Sequence, residues 1–304
     1  MNLIRLIRLP NLLIIAFTQF LVRYCLILPA FLTEQKITGE LPPHLDKLQF
    51  ILLVASTLLI AAGGYIINDI NDIDIDDVNN PGKNIIGKSI NENVAQIIYY
   101  SITGLGVLLG FWIAFQIGKL SLGTIPLFCA LSLYMYSTFY KKRLYSGNII
   151  VSVLAALSVL IVGLYEPEFY RNIIYLLYYS LFAFQMTLIR EIIKDAEDIE
   201  GDERAQCKSI PIRFGIKKTK TTIVALIVLT IFSLLHVLYY NFYNNPVISF
   251  MNLAAIFILP LLALIYLVFS AHNKKDFHYA SVFTKIYMVL GVSSMAGLWY
   301  YFLR

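Results

Sequence analysis

The chain has 304 residues, 59% of them hydrophobic and only 14% charged, with a mean hydropathy of +0.71. An ordinary soluble domain of this length would carry about 25% charge, so the composition excludes that class and makes lipid the main solvent. The net charge of +5 is modest, and no basic stripe interleaved with aromatic residues suggests a nucleic-acid partner.

At the N-terminus, Arg5 and Arg8 precede an apolar run that superficially resembles a signal peptide. The run continues through Phe31 without a clear small-x-small cleavage site, which predicts a retained first helix. Apolar segments are read at 11–33, 48–67, 92–117, 121–139, 147–165, 170–190, 221–241, 247–270 and 281–303. A hydrocarbon core of ~30 Å takes about 20 apolar residues of helix. No segment shows the period-two alternation of a barrel strand, so helices are the expected spanning structure. The predicted fold is all-α: a polytopic bundle of about nine transmembrane helices, with two Asp-rich loops on one side.

Within the first segment stands Arg23, a charge that must face a cavity or a partner and is a candidate substrate contact. The 34–47 connection contains Pro42-Pro43 and reads as a turn on the opposite face. Most lysines and arginines, from Arg5 and Arg8 to Lys274 and Lys275, fall in connections on one side of the bundle. The other side holds Lys36, Lys47, Lys119, Arg171 and Arg304. The positive-inside rule makes the first side cytoplasmic, with the N-terminus inside and the C-terminus outside. Cys25, Cys129 and Cys207 have no metal-like spacing, and a disulfide framework is not expected.

The two long polar connections, 68–91 and 191–220, lie on the cytoplasmic side and carry most of the acids. Asp69, Asp72 and Asp76 in the first are each 126 residues before Asp195, Asp198 and Asp202 in the second. Spacings of three and four put each triplet on one helical face. Such stacked like charges repel, and the negative C-terminal end of a helix gives them no relief. Magnesium supplies the missing countercharge: it prefers oxygen ligands and commonly bridges one or two carboxylates to substrate phosphates. Asp74, Asp77, Glu197 and Glu200 lie off these faces and read as solvated or supporting charges. A calcium EF-hand fails, because its glycine position would be Asp77 and its final glutamate Lys83. An ion relay in a transporter is the rival reading, but a relay would place its acids near mid-membrane. Lys83, Lys141, Lys142, Arg143, Arg190 and Lys194 stand near the acids and suit a phosphorylated ligand; Lys142 and Arg143 read more simply as topology charges.

Asn68-Asp69-x-x-Asp72-x-x-x-Asp76 resembles the first signature of the UbiA superfamily of intramembrane prenyltransferases, and Lys194-Asp195-x-x-Asp198-x-x-x-Asp202 resembles the second. The resemblance extends to Gly64-Tyr65-Ile66-Ile67, to Asn79-Asn80-Pro81-Gly82-Lys83, to Tyr136-Ser137 with Lys141, to Gly147-Asn148, and to Ser209-Ile210-Pro211 with Gly215. Lys83-Asn84 departs from the common Arg-Pro at that place. The resemblance implies a single integral-membrane domain over 1–304, with two or more Mg2+ ions held by Asp69, Asp72, Asp76, Asp195, Asp198 and Asp202. It also implies a polyprenyl diphosphate donor that ionises to an allylic cation. Asn68, Lys83, Tyr136, Lys141, Arg190 and Lys194, with Arg23, are the expected substrate-binding residues. For the acceptor, the run Arg190-Glu191-Ile192-Ile193-Lys194-Asp195 most resembles members that transfer geranylgeranyl to geranylgeranylglyceryl phosphate. An aromatic acceptor of the quinone or tocopherol type is the alternative.

Overall fold

The computed structural model describes residues 2–39, 45–79, 85–166, 173–244 and 250–302. Among the described residues, nine helices form the body: α1 (Leu9–Thr38, with a π-helical stretch over Val22–Ile27), α2 (Lys47–Asn71), α3 (Glu92–Gln116), α4 (Leu120–Tyr140), α5 (Ser146–Tyr165), α6 (Ile173–Glu197), α7 (Ile210–Asn244), α8 (Phe250–Ser270) and α9 (Lys274–Ser293, continued by Met295–Phe302). Among the described residues, eight helices are long and apolar enough to cross a membrane, and Ile256–Ser270 is a shorter apolar helix. Each of the nine expected apolar segments falls on one of these helices over its described residues. Pro42-Pro43 and Lys83 lie outside the described residues.

Polar residues cap the starts of α2 and α9. Asp46 accepts a hydrogen bond from the Gln49 amide at 2.7 Å while the Gln49 side chain accepts from the Asp46 amide at 2.9 Å, a reciprocal cap that starts α2. Asn273 and Asp276 form the same box at the start of α9. Gly39, at φ 81°, ends α1 in the left-handed conformation that glycine adopts without penalty.

Tight packing follows from small residues. A Cβ on Gly63 of α2 would stand 2.0 Å from Thr103 Oγ1 of α3, so the two helices approach to a separation only glycine permits. Ser56 Oγ donates to the Gly106 carbonyl across the same seam at 2.6 Å. Large apolar side chains such as Leu108, Phe115, Tyr266 and Phe269 are exposed. This is the surface expected of a body whose solvent is hydrocarbon.

Two helices run further than their apolar stretches. α2 extends past the expected boundary at 67 to Asn71, and α6 extends past 190 to Glu197, so the expected loops begin as helix. Each then breaks at one residue. Asp72 (φ −104°, ψ 8°) separates α2 from a short helix, Ile73–Asn79, and Asp198 (φ −105°, ψ 18°) separates α6 from another, Ile199–Arg204. The expectation of one continuous carboxylate face over each triplet is thereby corrected. The helix turns at the middle aspartate, and the two short helices pack against each other.

Candidate active site

A cavity of about 400 Å³ opens between these two breaks. Asp72 and Asn68 reach it from α2 and its end, Lys141 and Tyr136 from the end of α4, and Arg190, Lys194, Asp195, Asp198 and Asp202 from α6 and the short helix after it. Much of the rest of its wall is apolar, with Ile14, Ile15, Ile60, Leu133, Leu154 and Phe182 among the lining residues. A polar mouth thus leads into a greasy interior. A second hollow of about 510 Å³, between α3 and α4, is lined by Tyr99, Leu108, Leu127 and similar residues with no charged group, and belongs to the lipid-facing surface.

Local hydrogen bonds explain why the mouth holds its shape. Asn71 donates to Ser137 Oγ at 2.8 Å and Ser137 Oγ donates to the Ile67 carbonyl at 3.0 Å, which stitches the π-helical end of α4 to the end of α2. This seam delivers Lys141, whose ammonium pairs with Asp72. Asn68 Nδ2 donates to the same carboxylate at 2.5 Å. On the second motif, Asn148 of α5 donates to Asp195 Oδ2 at 2.8 Å, and Lys274 Nζ stands 3.8 Å from Asp198 Oδ1. Asp69 lies behind the mouth rather than on it, paired with Arg8 at 2.6 Å. Asp76 is on the short helix Ile73–Asn79.

Burial shapes the charge state of the second motif. Burial holds the Asp202 carboxyl up at about 6; Asp198 and Asp72 push the same way, and Lys141 and Lys194 oppose them. Asp198 is also raised, by burial first and by Glu197, against the pull of Lys194 and Lys274. Burial thus leaves these carboxylates poorly stabilised in their charged form, the condition a divalent cation would relieve. Among the described residues no three of His, Cys, Asp and Glu converge closely enough to hold an ion by themselves. The donors at the mouth are carboxylate oxygens, which suit magnesium: it takes one or two carboxylates and completes its shell with water and substrate phosphate oxygens.

The off-face acids behave as expected. Asp74 and Glu200 are exposed, Asp77 pairs with Lys88 at 3.1 Å and Glu197 with His278 at 2.8 Å; none lines the cavity. Arg23 is a correction. It pairs with the buried Glu166 and donates to the Leu45 carbonyl, and Glu166 Oε2 accepts from the Leu45 amide at 2.9 Å. Leu45 lies just before α2 and Asp72 just after it, so Arg23 sits at the far end of the bundle from the carboxylates. The requirement that a charge in an apolar segment find a partner holds, but the partner is Glu166 rather than substrate. The cavity also receives Arg8, Asn11, Tyr65, Glu191 and Lys285, to which sequence reasoning gave no place in the site. For Lys285 a signal existed: apart from Arg23, it is the one cation well inside an apolar segment.

Fold and site together define a polytopic integral-membrane protein with a cavity whose mouth is lined by carboxylates and lysines and whose interior is largely apolar. The chain belongs to the UbiA prenyltransferase family, whose pattern matches residues 26–289. It is 32% identical over 257 residues to the digeranylgeranylglyceryl phosphate synthase of Methanosphaera stadtmanae, a match spanning 81% of this chain and 86% of that one. The enzyme of the same name from Saccharolobus solfataricus is 35% identical over 189 residues, covering 60% of this chain and 64% of its relative. Among solved structures, one concerning digeranylgeranylglyceryl phosphate synthase in membranes superposes with a TM-score of 0.64 at 25% identity, covering 97% and 96% of the two chains. A UbiA homologue from Archaeoglobus fulgidus bound to DMAPP and Mg2+ superposes with a TM-score of 0.62 at 17% identity, covering 96% and 99%.

Proposed function

We propose that this chain transfers a geranylgeranyl group from its diphosphate to the free hydroxyl of a prenylated glyceryl phosphate, forming an ether and releasing diphosphate. The observation that carries this reading is the meeting of Asp72 and Lys141 with Asp198, Asp202 and Lys194 at the polar mouth of a largely apolar cavity. The relatives at 32% and 35% identity support the glyceryl phosphate acceptor.

Lys141 and Lys194 are suited to hold the diphosphate as negative charge develops on it. Asp69, Asp72, Asp76, Asp195, Asp198 and Asp202 are the candidate ligand set for Mg2+, which supplies, when bound, the countercharge that lets diphosphate depart. Asn68 steadies Asp72, and Tyr136 forms wall beside it. Lys83, which follows the first motif, is kept as a further diphosphate contact. The apolar walls exclude the water that would quench an allylic cation. The C1–O bond to diphosphate breaks, the acceptor hydroxyl oxygen bonds to C1, and its proton passes to an oxygen at the mouth. Arg190, on the cavity wall, suits a phosphorylated acceptor. The mouth faces the cytoplasm, where the positive-inside rule puts Arg5, Arg8, Lys274 and Lys275, and 1–304 works as one membrane domain.

The test is transfer of radiolabel from geranylgeranyl diphosphate in membranes containing the chain, with a panel of acceptors and added Mg2+. Label should enter an ether lipid only with the glyceryl phosphate acceptor. Product with an aromatic acid or quinol precursor alone would overturn the acceptor. Gradient-driven uptake without a covalent product would favour the transporter reading instead.

A further inference from the structure

The wall of the cavity formed by α1, α6 and α9 carries a second cluster of charge that the carboxylate mouth does not use. Lys285 Nζ, from α9, meets Asn11 Oδ1 of α1 at 2.6 Å. Arg190 Nη1 pairs with its neighbour Glu191 at 3.2 Å, while its buried Nε has no hydrogen-bond partner among the described residues. Arg8, on the same wall, pairs with Asp69 and lies over the Tyr65 ring. Among the described residues, Arg8, Arg190 and Lys285 are thus gathered here with two carboxylates, Glu191 on the wall and Asp69 behind it.

Lys285 and Arg23 stand out together, since both are cations set inside apolar segments. Arg23 is neutralised by Glu166. The partner of Lys285 among the described residues is a neutral amide. An ammonium held in a membrane-spanning helix without a carboxylate is a standing cost, and such residues face a polar cavity and await a counter-ion. Lys285 does face the cavity. Nor does it duplicate Lys274, which stands beside Asp198: the two lie eleven residues apart on α9, about 16 Å of helical rise.

We infer that Lys285, with Arg190, forms a second anion subsite that binds the phosphate monoester of the acceptor, apart from the diphosphate end of the donor. The inference rests on the proposed transfer to a glyceryl phosphate and assigns the part of the wall that would select it. A phosphate brings the missing negative charge, and its several acceptor oxygens can engage the Lys285 ammonium and the unmet Nε of Arg190 together. Asn11 holds the ammonium toward the cavity, and Arg8 and Tyr65 close the pocket's side. A neutral acceptor would leave Lys285 as uncompensated as before, so the cluster acts as a selector for the phosphorylated form.

The experiment uses the full chain purified in detergent, with geranylgeranyl diphosphate and paired acceptors: a prenylglyceryl phosphate, the same lipid without its phosphate, and an aromatic carboxylate. Lys285→Ala should raise the acceptor KM roughly tenfold or more, the usual scale for losing a charge-assisted hydrogen bond. The donor KM should stay within about twofold, because the diphosphate end is intact. The preference for the phosphorylated over the dephosphorylated acceptor should collapse, and Lys285→Arg should restore much of it. A rise in donor KM in place of acceptor KM would overturn the subsite. So would an unchanged phosphate preference in Lys285→Ala, or a loss in kcat alone that Lys285→Arg does not recover. If the unaltered chain transfers label to none of the glyceryl phosphates, the proposed function fails rather than the assignment of Lys285.

Discussion

Asp72 and Asp198 occupy the same structural position in two motifs 126 residues apart. Each is the single turning residue between a membrane helix and a short helix, at φ −104°, ψ 8° and φ −105°, ψ 18°. Each carboxylate has a lysine beside it, Lys141 for Asp72 and Lys274 for Asp198. The backbone turn lets the residues before and after each aspartate reach the cavity from different directions, which a straight helix would not allow.

If these are two halves of one site, each should be indispensable and their losses should not add. Asp72→Asn and Asp198→Asn preserve shape and remove charge. Each should lower the transfer rate by about 100-fold or more, the scale seen when one electrostatic element of an active site is removed. The double variant should be little worse than either single one, as for groups acting as a unit. Single-turnover label transfer with melting temperature measured alongside decides this; full activity in either variant would dissolve the two-motif site.

The raised carboxyls make the site pH-sensitive. Asp202 titrates at about 6 because it is buried, so below that pH a proton competes with the cation for it. Apparent Mg2+ affinity, measured by titrating activity with Mg2+, should weaken as pH falls through about 6. The stability effect has the opposite sign. A folded-state value above the unfolded one, 3.8, contributes stability that is present below 3.8 and lost as pH rises through about 6. The metal-free protein should therefore melt lower at pH 7 than at pH 5, and added Mg2+ should narrow that gap. A metal-free melting temperature that rises across this window would contradict the assignment.

Arg23 and Glu166 make a contrasting case, since their pairing is structural. Glu166→Ala leaves a buried guanidinium uncompensated and should cost about 3–5 kcal/mol. Replacing both residues with apolar ones of similar volume should recover most of that loss. Neither change should shift the KM of donor or acceptor in protein that remains folded. Thermal denaturation in detergent and steady-state kinetics together test this, and a selective rise in a substrate KM would return Arg23 to the site.

The α2–α3 seam should be intolerant of a methyl group. Gly63→Ala places a Cβ 2.0 Å from Thr103 Oγ1, and overpacking of this kind typically costs about 1–3 kcal/mol. Thr103→Ala should relieve the clash, so the double variant should melt above Gly63→Ala alone.

Much of this protein was legible in its sequence. Nine apolar stretches predict nine helices because backbone groups in hydrocarbon must be satisfied within the segment, leaving helix as the available answer. The paired Asp triplets predict a cation site because carboxylates near lipid need countercharge. Other features lay outside that local grammar. The three-four spacing around Asp72 and Asp198 reads as unbroken helix, and the turn at the middle residue emerges where the short helices Ile73–Asn79 and Ile199–Arg204 pack against each other. Arg23 and Lys285 look alike in sequence, each a cation inside an apolar run. Only the tertiary structure sets Arg23 against Glu166 at one end of the bundle and Lys285 against Asn11 on the cavity wall. Local composition determines what must be buried in lipid and what must be paired. Which partner does the pairing depends on contacts between helices far apart in the chain, and those decide whether a buried charge holds the fold together or faces the cavity.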